Sequence, residues 1–262
     1  MYLNQVLGQV DEGLSSLEIP AGWGQGSAVF GGLVGSLIYQ SMAASTEKQQ
    51  LLRSFSLLFV GPAAPGEATL ETTLLRRGKS VAHLSGQLTQ GSTVVATALA
   101  SFGAGRSSSI EVPAEQAPDW PAPESCKALP YLEGVTPEFT QRIEYRWVVG
   151  RMPFQGADVT SMGGWMRFRE DNSSAGIAYL LSLIDAWPPA VLPMLKQPAP
   201  ASSLSWSVEL LKPVTAFHAS DWWRYLAEIE HAGEGYAVIK ARIWDQSGEL
   251  VALSRQTVVI FA

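Results

Sequence analysis

Two segments of this chain are apolar on nearly every side of a helix. They are Phe30–Ser45 (FGGLVGSLIYQSMAAS) and Ser174–Ala186 (SAGIAYLLSLIDA), the second stopped by Trp187-Pro188-Pro189. A helix with no polar face cannot rest on a surface and must be enclosed. Each segment is followed by four β segments. After the first these are Ser54–Val60, Ala68–Leu75, Ser80–Thr89 and Thr93–Phe102; after the second, Leu204–Leu211, Trp223–Glu230, Tyr236–Trp244 and Leu250–Phe261. Turn chemistry separates them, as at Arg77-Gly78-Lys79, Gln90-Gly91-Ser92 and Asp245-Gln246-Ser247-Gly248. Strands joined by such short turns run antiparallel. A further strand, Gly163–Arg169, precedes the second helix.

The order of elements is an internal repeat. Gly78 and Gly235 lie 157 residues apart, as do Gly91 and Gly248, whereas Pro62 and Pro213 lie 151 apart. A longer loop in the second copy, Val214–Asp221, accounts for the difference. Between the copies, Gly103–Gln141 carries six of the 16 prolines and keeps no helical or strand period. Proline fixes φ and removes a donor, so this segment reads as a partly extended connection over a surface. The division is therefore residues 1–103, a linker over 104–141, and residues 142–262. A duplicated unit of this kind predicts a pseudo-two-fold interface.

Composition closes off several functions. The chain has 262 residues, 47% of them hydrophobic and 16% charged, which excludes a disordered protein. A net charge of −6 argues against a nucleic-acid binder. No apolar run is long enough to span a bilayer. The N-terminal MYLNQVLGQVDEGL lacks the basic and apolar regions of a signal peptide, and Cys126 has no internal disulfide partner, so a cytoplasmic location is expected. One cysteine and three histidines leave no Cys/His zinc motif, and no metal or redox cofactor is expected. His83, His218 and His231 sit in no nucleophile motif. Catalysis by this chain must rely on a carboxylate, amides and hydroxyls.

An α+β arrangement satisfies these patterns: an antiparallel sheet curls around each long buried helix. This is the hotdog fold, and two in one chain form a double hotdog. The stretches AVFGGLVGSLIYQSM and SFSLLFVGPAAPGEATLETTLLRRGKSVAHLSGQLTQGSTVVATALASF resemble the N-terminal half of thioesterase II-type (TesB-like) acyl-CoA thioesterases. The C-terminal WDQSGELVALSRQTVVIF resembles their closing strand pair.

Asp185 ends an otherwise apolar helix. Burying its charge is expensive, and a helix C-terminus disfavours a negative group. An exposed place at a frayed helix end is the plainer reading; the unfavourable placement points to function. Along LVALSRQTVVIF, Arg255 and Gln256 interrupt an apolar strand, and adjacent residues face opposite sides. Arg255 belongs outside, which turns Gln256 inward, either as a satisfied core amide or as a site residue. Gly31-Gly32 opens the first helix, where backbone N–H groups suit an oxyanion, or where close packing needs glycine. Trp187, Trp206, Trp222 and Trp223 are candidates for an acyl pocket, with core packing the default for each.

The resemblance implies that Asp185, Gln256 and a hydroxyl at Ser203 hold a water that attacks an acyl-CoA thioester. The family has threonine at that third place, followed by an acidic and a histidine-bearing stretch. This chain has Leu204-Ser205-Trp206-Ser207 instead, which leaves Ser202 and Ser205 as alternatives. Arg76, Arg77 and Lys79 cluster at one turn that could meet the phosphates of coenzyme A, though a solvated hairpin turn is the commoner explanation for such a charge run. First-half counterparts of the trio are expected near Ser41, Arg53 or Ser54, and Leu99 or Ala100. That gives one competent site per chain. Two other readings stay open: a non-catalytic acyl-CoA binder, and an enoyl-CoA hydratase on the same fold, whose Asp-x-Asn-Pro-x-His phrase is missing here. A homo-oligomer is also expected, because hotdog sheets expose edges.

Overall fold

The computed structural model describes residues 1–11, 15–47, 49–169, 173–214 and 216–262. Position 215, within the predicted loop Val214–Asp221, thus lies outside the described residues. The first half contains α1 (Leu3–Asp11), β1 (Ser16–Ile19), a small ribbon of β2 (Gly24–Gln25) and β3 (Ala28–Val29), and α2 (Gly31–Ala44). Strands β4 (Leu51–Phe59), β5 (Gly66–Arg77), β6 (Val81–Gln90) and β7 (Thr93–Gly103) follow. Next come β8 (Lys127–Leu129), β9 (Ile143–Val149), β10 (Ser161–Phe168), β11 (Ser174–Ala175) and α3 (Ile177–Ile184). The chain closes with β12 (Ala201–Leu210), β13 (Phe217–His218), β14 (Trp223–Gly233), β15 (Tyr236–Trp244) and β16 (Leu250–Ile260).

Twelve strands form one sheet in the order β1-β5-β6-β7-β4-β12-β16-β15-β14-β10-β9-β8. The halves meet where β4 pairs antiparallel with β12, and Ser56 opposes Ser207 at the centre of that pairing. The repeat predicted from turn glycines reaches into irregular detail. β4 shifts register against β7 between Leu52 and Ser54, and β12 shifts against β16 between Ser203 and Ser205. Two bulges at matching places are the mark of a duplicated unit. Gly91 and Gly248 both adopt positive φ in equivalent hairpins, the conformation glycine takes without steric cost.

α2 and α3 lie together inside the sheet and cross antiparallel. Ser36 Oγ hydrogen-bonds Ser182 Oγ at 2.8 Å and the Ala178 carbonyl at 2.6 Å, and Ser182 Oγ reaches the Gly32 carbonyl at 3.1 Å. Both hydroxyls are fully buried, so these bonds are what makes them tolerable there. Close approach requires small residues: a Cβ at Gly32 would stand 2.4 Å from the Phe30 ring and 2.9 Å from the Ser182 carbonyl.

Three features differ from the sequence reading. The second helix is shorter than Ser174–Ala186: Ser174 and Ala175 pair with β13, and Asp185 is the residue that caps α3. α1, β1 and β9 are elements additional to those that the sequence patterns predict. The proline-rich stretch also donates a strand, β8, to the end of the sheet. Elsewhere it runs over the outer face of the second half, where the Trp165 indole donates to the Pro121 carbonyl (3.0 Å) and the Trp244 indole to that of Glu115 (3.1 Å).

Candidate active site

The end of α3 meets the beginning of α2. Asp185 is buried there, with one carboxylate oxygen accepting from Gln256 Nε2 at 2.6 Å. The Gly32 backbone N–H donates to the same carboxylate. Its Oδ2 lies 2.8 Å from where a Gly31 Cβ would be, and Phe59 Cζ lies 2.9 Å from that point. Glycine at position 31 thus leaves the space that the carboxylate and the Phe59 ring occupy.

Opposing effects act on Asp185. Burial raises its pKa to about 7, while the Gln256 and Gly32 hydrogen bonds hold it below what burial alone would produce. A negative charge at the C-terminus of α3 is disfavoured, but the same charge sits at the positive N-terminus of α2. The outcome is a carboxyl that exchanges its proton near neutrality, a property suited to a general base.

Gln256 faces inward and Arg255 outward, where Arg255 Nε bonds Glu230 at 2.7 Å. On β12, Ser203 stands opposite the buried Val258, on the inner face shared with Gln256. Ser202 and Ser205 oppose Val259 and Thr257 on the other face, which separates the three serine candidates by geometry. The structure does not join Ser203 to the pair: among the described residues its hydroxyl makes no hydrogen bond. It lies one inward position along the strand from Trp206, the partner of Gln256.

Other candidates fall elsewhere. Neither glycine N–H has an acceptor within the helix; that of Gly32 serves Asp185, which leaves the N–H of Gly31, the first helical residue, for an oxyanion. Arg77 bonds Glu47 and, at 2.9 Å, the carbonyl of Ser45, the residue that caps α2 at its C-terminus. The Arg76–Lys79 turn is therefore at the far end of a helix about 20 Å long, away from Asp185. Trp206 is core, its ring edge-on to Phe55 and its indole donating to Ser254 Oγ at 2.9 Å. Trp222 lies under Arg167, and Trp223 packs edge-on against Phe217. Trp187 is the tryptophan next in the chain to the Asp185 end of α3, and Tyr145 and Tyr225 pack against its ring. Sequence reasoning missed these tyrosines, although the alternation Ile143-Glu144-Tyr145-Arg146-Trp147 is a strand signal that places Tyr145 and Trp147 on one face.

Helix register identifies the first-half counterpart of Asp185. Ser36 pairs with Ser182 and Gly32 matches Ala178, which makes Tyr39, not Ser41, the equivalent of Asp185. The bulges match Leu52, not Arg53 or Ser54, to Ser203; Ala100 matches Gln256.

Two family models match the chain: an acyl-CoA thioesterase N-terminal domain over residues 19–103 and an acyl-CoA thioesterase C-terminal domain over residues 123–260. Among solved structures, a conserved hot dog fold protein from Alicyclobacillus acidocaldarius is 22% identical with a TM-score of 0.82, over 94% of this chain and 92% of that one. The acyl-CoA thioesterase II TesB2 from Mycobacterium marinum is 17% identical with a TM-score of 0.75, over 99% and 98% of the two chains. A tesB protein from Mycobacterium avium subs paratuberculosis is 16% identical with a TM-score of 0.78, over the full length of both. At these identities the structures establish the double hotdog fold. No curated protein matches the chain by sequence. No helix among the described residues is long and apolar enough to cross a membrane. With family models matched to both halves, the chain belongs to the acyl-CoA thioesterases, a family of thioester hydrolases.

Proposed function

We propose that this enzyme hydrolyses acyl-CoA through a water held by Asp185 and Gln256. The observation that carries this reading is the buried 2.6 Å contact between the two side chains, at the N-terminus of α2. Asp185 takes a proton from the water as its oxygen attacks the thioester carbonyl carbon. The tetrahedral intermediate collapses with loss of the coenzyme A thiolate, which leaves without a strong acid. The proton held by Asp185 returns to solvent or to the thiolate. Gln256 fixes the carboxylate and, with its amide oxygen, has an acceptor to offer the water. Ser203, on the same inner face, supplies a hydroxyl to the far side of that water. The N–H of Gly31 and the positive end of α2 lie where negative charge develops on the carbonyl oxygen.

Free-thiol release from a panel of acyl-CoAs, with wild type and Asp185→Asn, tests the proposal. Turnover by the wild type that is lost in the variant supports it. A variant as active as wild type overturns it.

A further inference from the structure

Trp187 occupies a slot that the sheet leaves open for it. Gly164 on β10 stands opposite Trp147 on β9 and Tyr225 on β14. Opposed residues in a sheet share a face, so these three positions form a row on the inner side. With no side chain at Gly164, the row has a gap between two aromatic rings. The backbone carbonyl of Arg146 stands where a Gly164 Cβ would be, and the Trp187 indole lies over the same glycine, its Cη2 3.1 Å from that point. The indole stacks parallel on Tyr225, with centroids 5.6 Å apart and planes at 5°, and lies 4.9 Å from Trp147. Tyr145 meets it edge-on at 5.6 Å, and the Tyr145 hydroxyl donates to the Ala186 carbonyl at 2.9 Å. That bond ties the box of rings to the residue between Asp185 and Trp187.

The rings of Tyr145, Trp187 and Tyr225 are buried, and they are tied to the Asp185 end of α3 through the Ala186 carbonyl. Burial first, and then the charge of Asp185, raise the pKa values of the Tyr145 and Tyr225 hydroxyls, as expected of groups close to that carboxylate. The coenzyme A portion of a substrate is polar and charged and must stay toward water. Whatever extends inward from a carbonyl at Asp185 is the acyl group, and the rings tied to Ala186 lie on that inward side. A methylene chain between two rings needs roughly twice the 3.5–4.0 Å contact distance, more than the ring spacings here allow.

We propose that Trp187 limits the length of the acyl group, so that the enzyme takes short acyl-CoA thioesters. The proposal rests on the reading of Asp185 and Gln256 given above. Removing the indole opens the Gly164 slot and leaves Tyr145, Trp147 and Tyr225 as the walls of a channel.

The test compares wild type, Trp187→Ala and Trp187→Phe on straight-chain acyl-CoAs from acetyl to palmitoyl. Free-thiol release is measured for each, with circular dichroism to establish folding. The expected result is a wild-type rate that falls off with chain length. In Trp187→Ala the ratio of long-chain to short-chain kcat/KM should rise by at least about tenfold, the scale on which one methylene is discriminated in an apolar pocket. Trp187→Phe should fall between the two, and it carries the test if the alanine variant does not fold. A wild type that prefers long chains overturns the proposal, as do folded variants with the wild-type length profile. Binding of non-hydrolysable thioether analogues of the same lengths separates the two readings. If no chain releases thiol but the Kd values shift with length in the variants, the Asp185 mechanism fails and Trp187 keeps its role. If the Kd values do not shift, the Trp187 proposal fails.

Discussion

The two halves of this molecule present the same backbone geometry with opposite chemistry. At the end of α3 stands Asp185; at the matching turn of α2 stands Tyr39, whose hydroxyl is raised to about 12 by burial and stays protonated at neutral pH. Gln256 on β16 is matched by Ala100 on β7, and Ser203 at the β12 bulge by Leu52 at the β4 bulge. Tyr39 stacks against Phe102, which is matched by Val258. The first half thus uses these three positions for packing, and the second has a hydrogen-bonded carboxyl and amide at two of them and a serine at the third. Duplication supplies two sites in principle. Burying a carboxylate is expensive, and here it is carried only once.

Removing the carboxylate breaks this comparison most directly. Asp185→Asn should lower kcat by about 10²–10⁴, the usual contribution of a general base. Residual turnover near wild type, with two analogue molecules bound per chain, would show that the Tyr39 side is also competent. The same variant has a stability signature. The folded-state pKa of Asp185, about 7, lies above its unfolded value, so the folded protein holds the proton more tightly and loses stability as pH rises through this interval. Above neutrality the penalty approaches about 4 kcal/mol, from a shift of about three units. Asp185→Asn should therefore melt above wild type near about pH 8, and the gap should close as the pH falls toward the ordinary aspartate pKa. Thermal melts across that range check it.

Gln256→Ala gives Gln256 the residue its counterpart has. It removes a hydrogen bond to a charged group, worth about tenfold to a hundredfold in rate. Because that bond lowers the Asp185 pKa, the rise of kcat/KM with pH should move to higher pH in the variant. An unchanged inflection would mean that Gln256 does not act through Asp185. Ser203→Ala should cost less, about two- to tenfold, the value of one neutral hydrogen bond to a shared water. A loss as large as that of Asp185→Asn would promote Ser203 to the centre of the mechanism. Tyr39→Phe should change turnover by less than about twofold, as for a substitution away from the chemistry. A larger effect would show that the first half takes part.

Much of this was legible in the chain itself. Two helices apolar all round, each followed by antiparallel strands with glycine turns, leave few arrangements other than a sheet wrapped around buried helices. The polar intruders at Asp185 and Gln256 were visible because each interrupts an apolar element, and interruption is a local property of sequence. The period-2 rule, with the cost of burying the Arg255 charge, turned Gln256 inward and Arg255 outward. Strand β9 carried an equally clear alternation, but it followed the proline-rich stretch and had no turn glycine to announce it.

Other features depend on distance between elements, which sequence does not encode locally. That Tyr39, not Ser41, matches Asp185 follows from which turns of α2 and α3 cross, set by the Ser36–Ser182 contact. That the Gly32 N–H serves Asp185 depends on antiparallel helices bringing one C-terminus to the other's N-terminus. The basic turn at Arg76–Lys79 is visible in the sequence as a run of charges, but its place beside the C-terminal end of α2 is a consequence of strand length. From the sequence, Trp187 is one of four tryptophans, with Trp206, Trp222 and Trp223, that are candidates for an acyl pocket. Only the pairing of Gly164 with Trp147 and Tyr225 sets it apart, because that row joins two consecutive strands to β14, which comes much later in the chain. Sequence determined which residues are out of place in their own element; the tertiary structure decided which of them meet, since meeting is a matter of packing between elements.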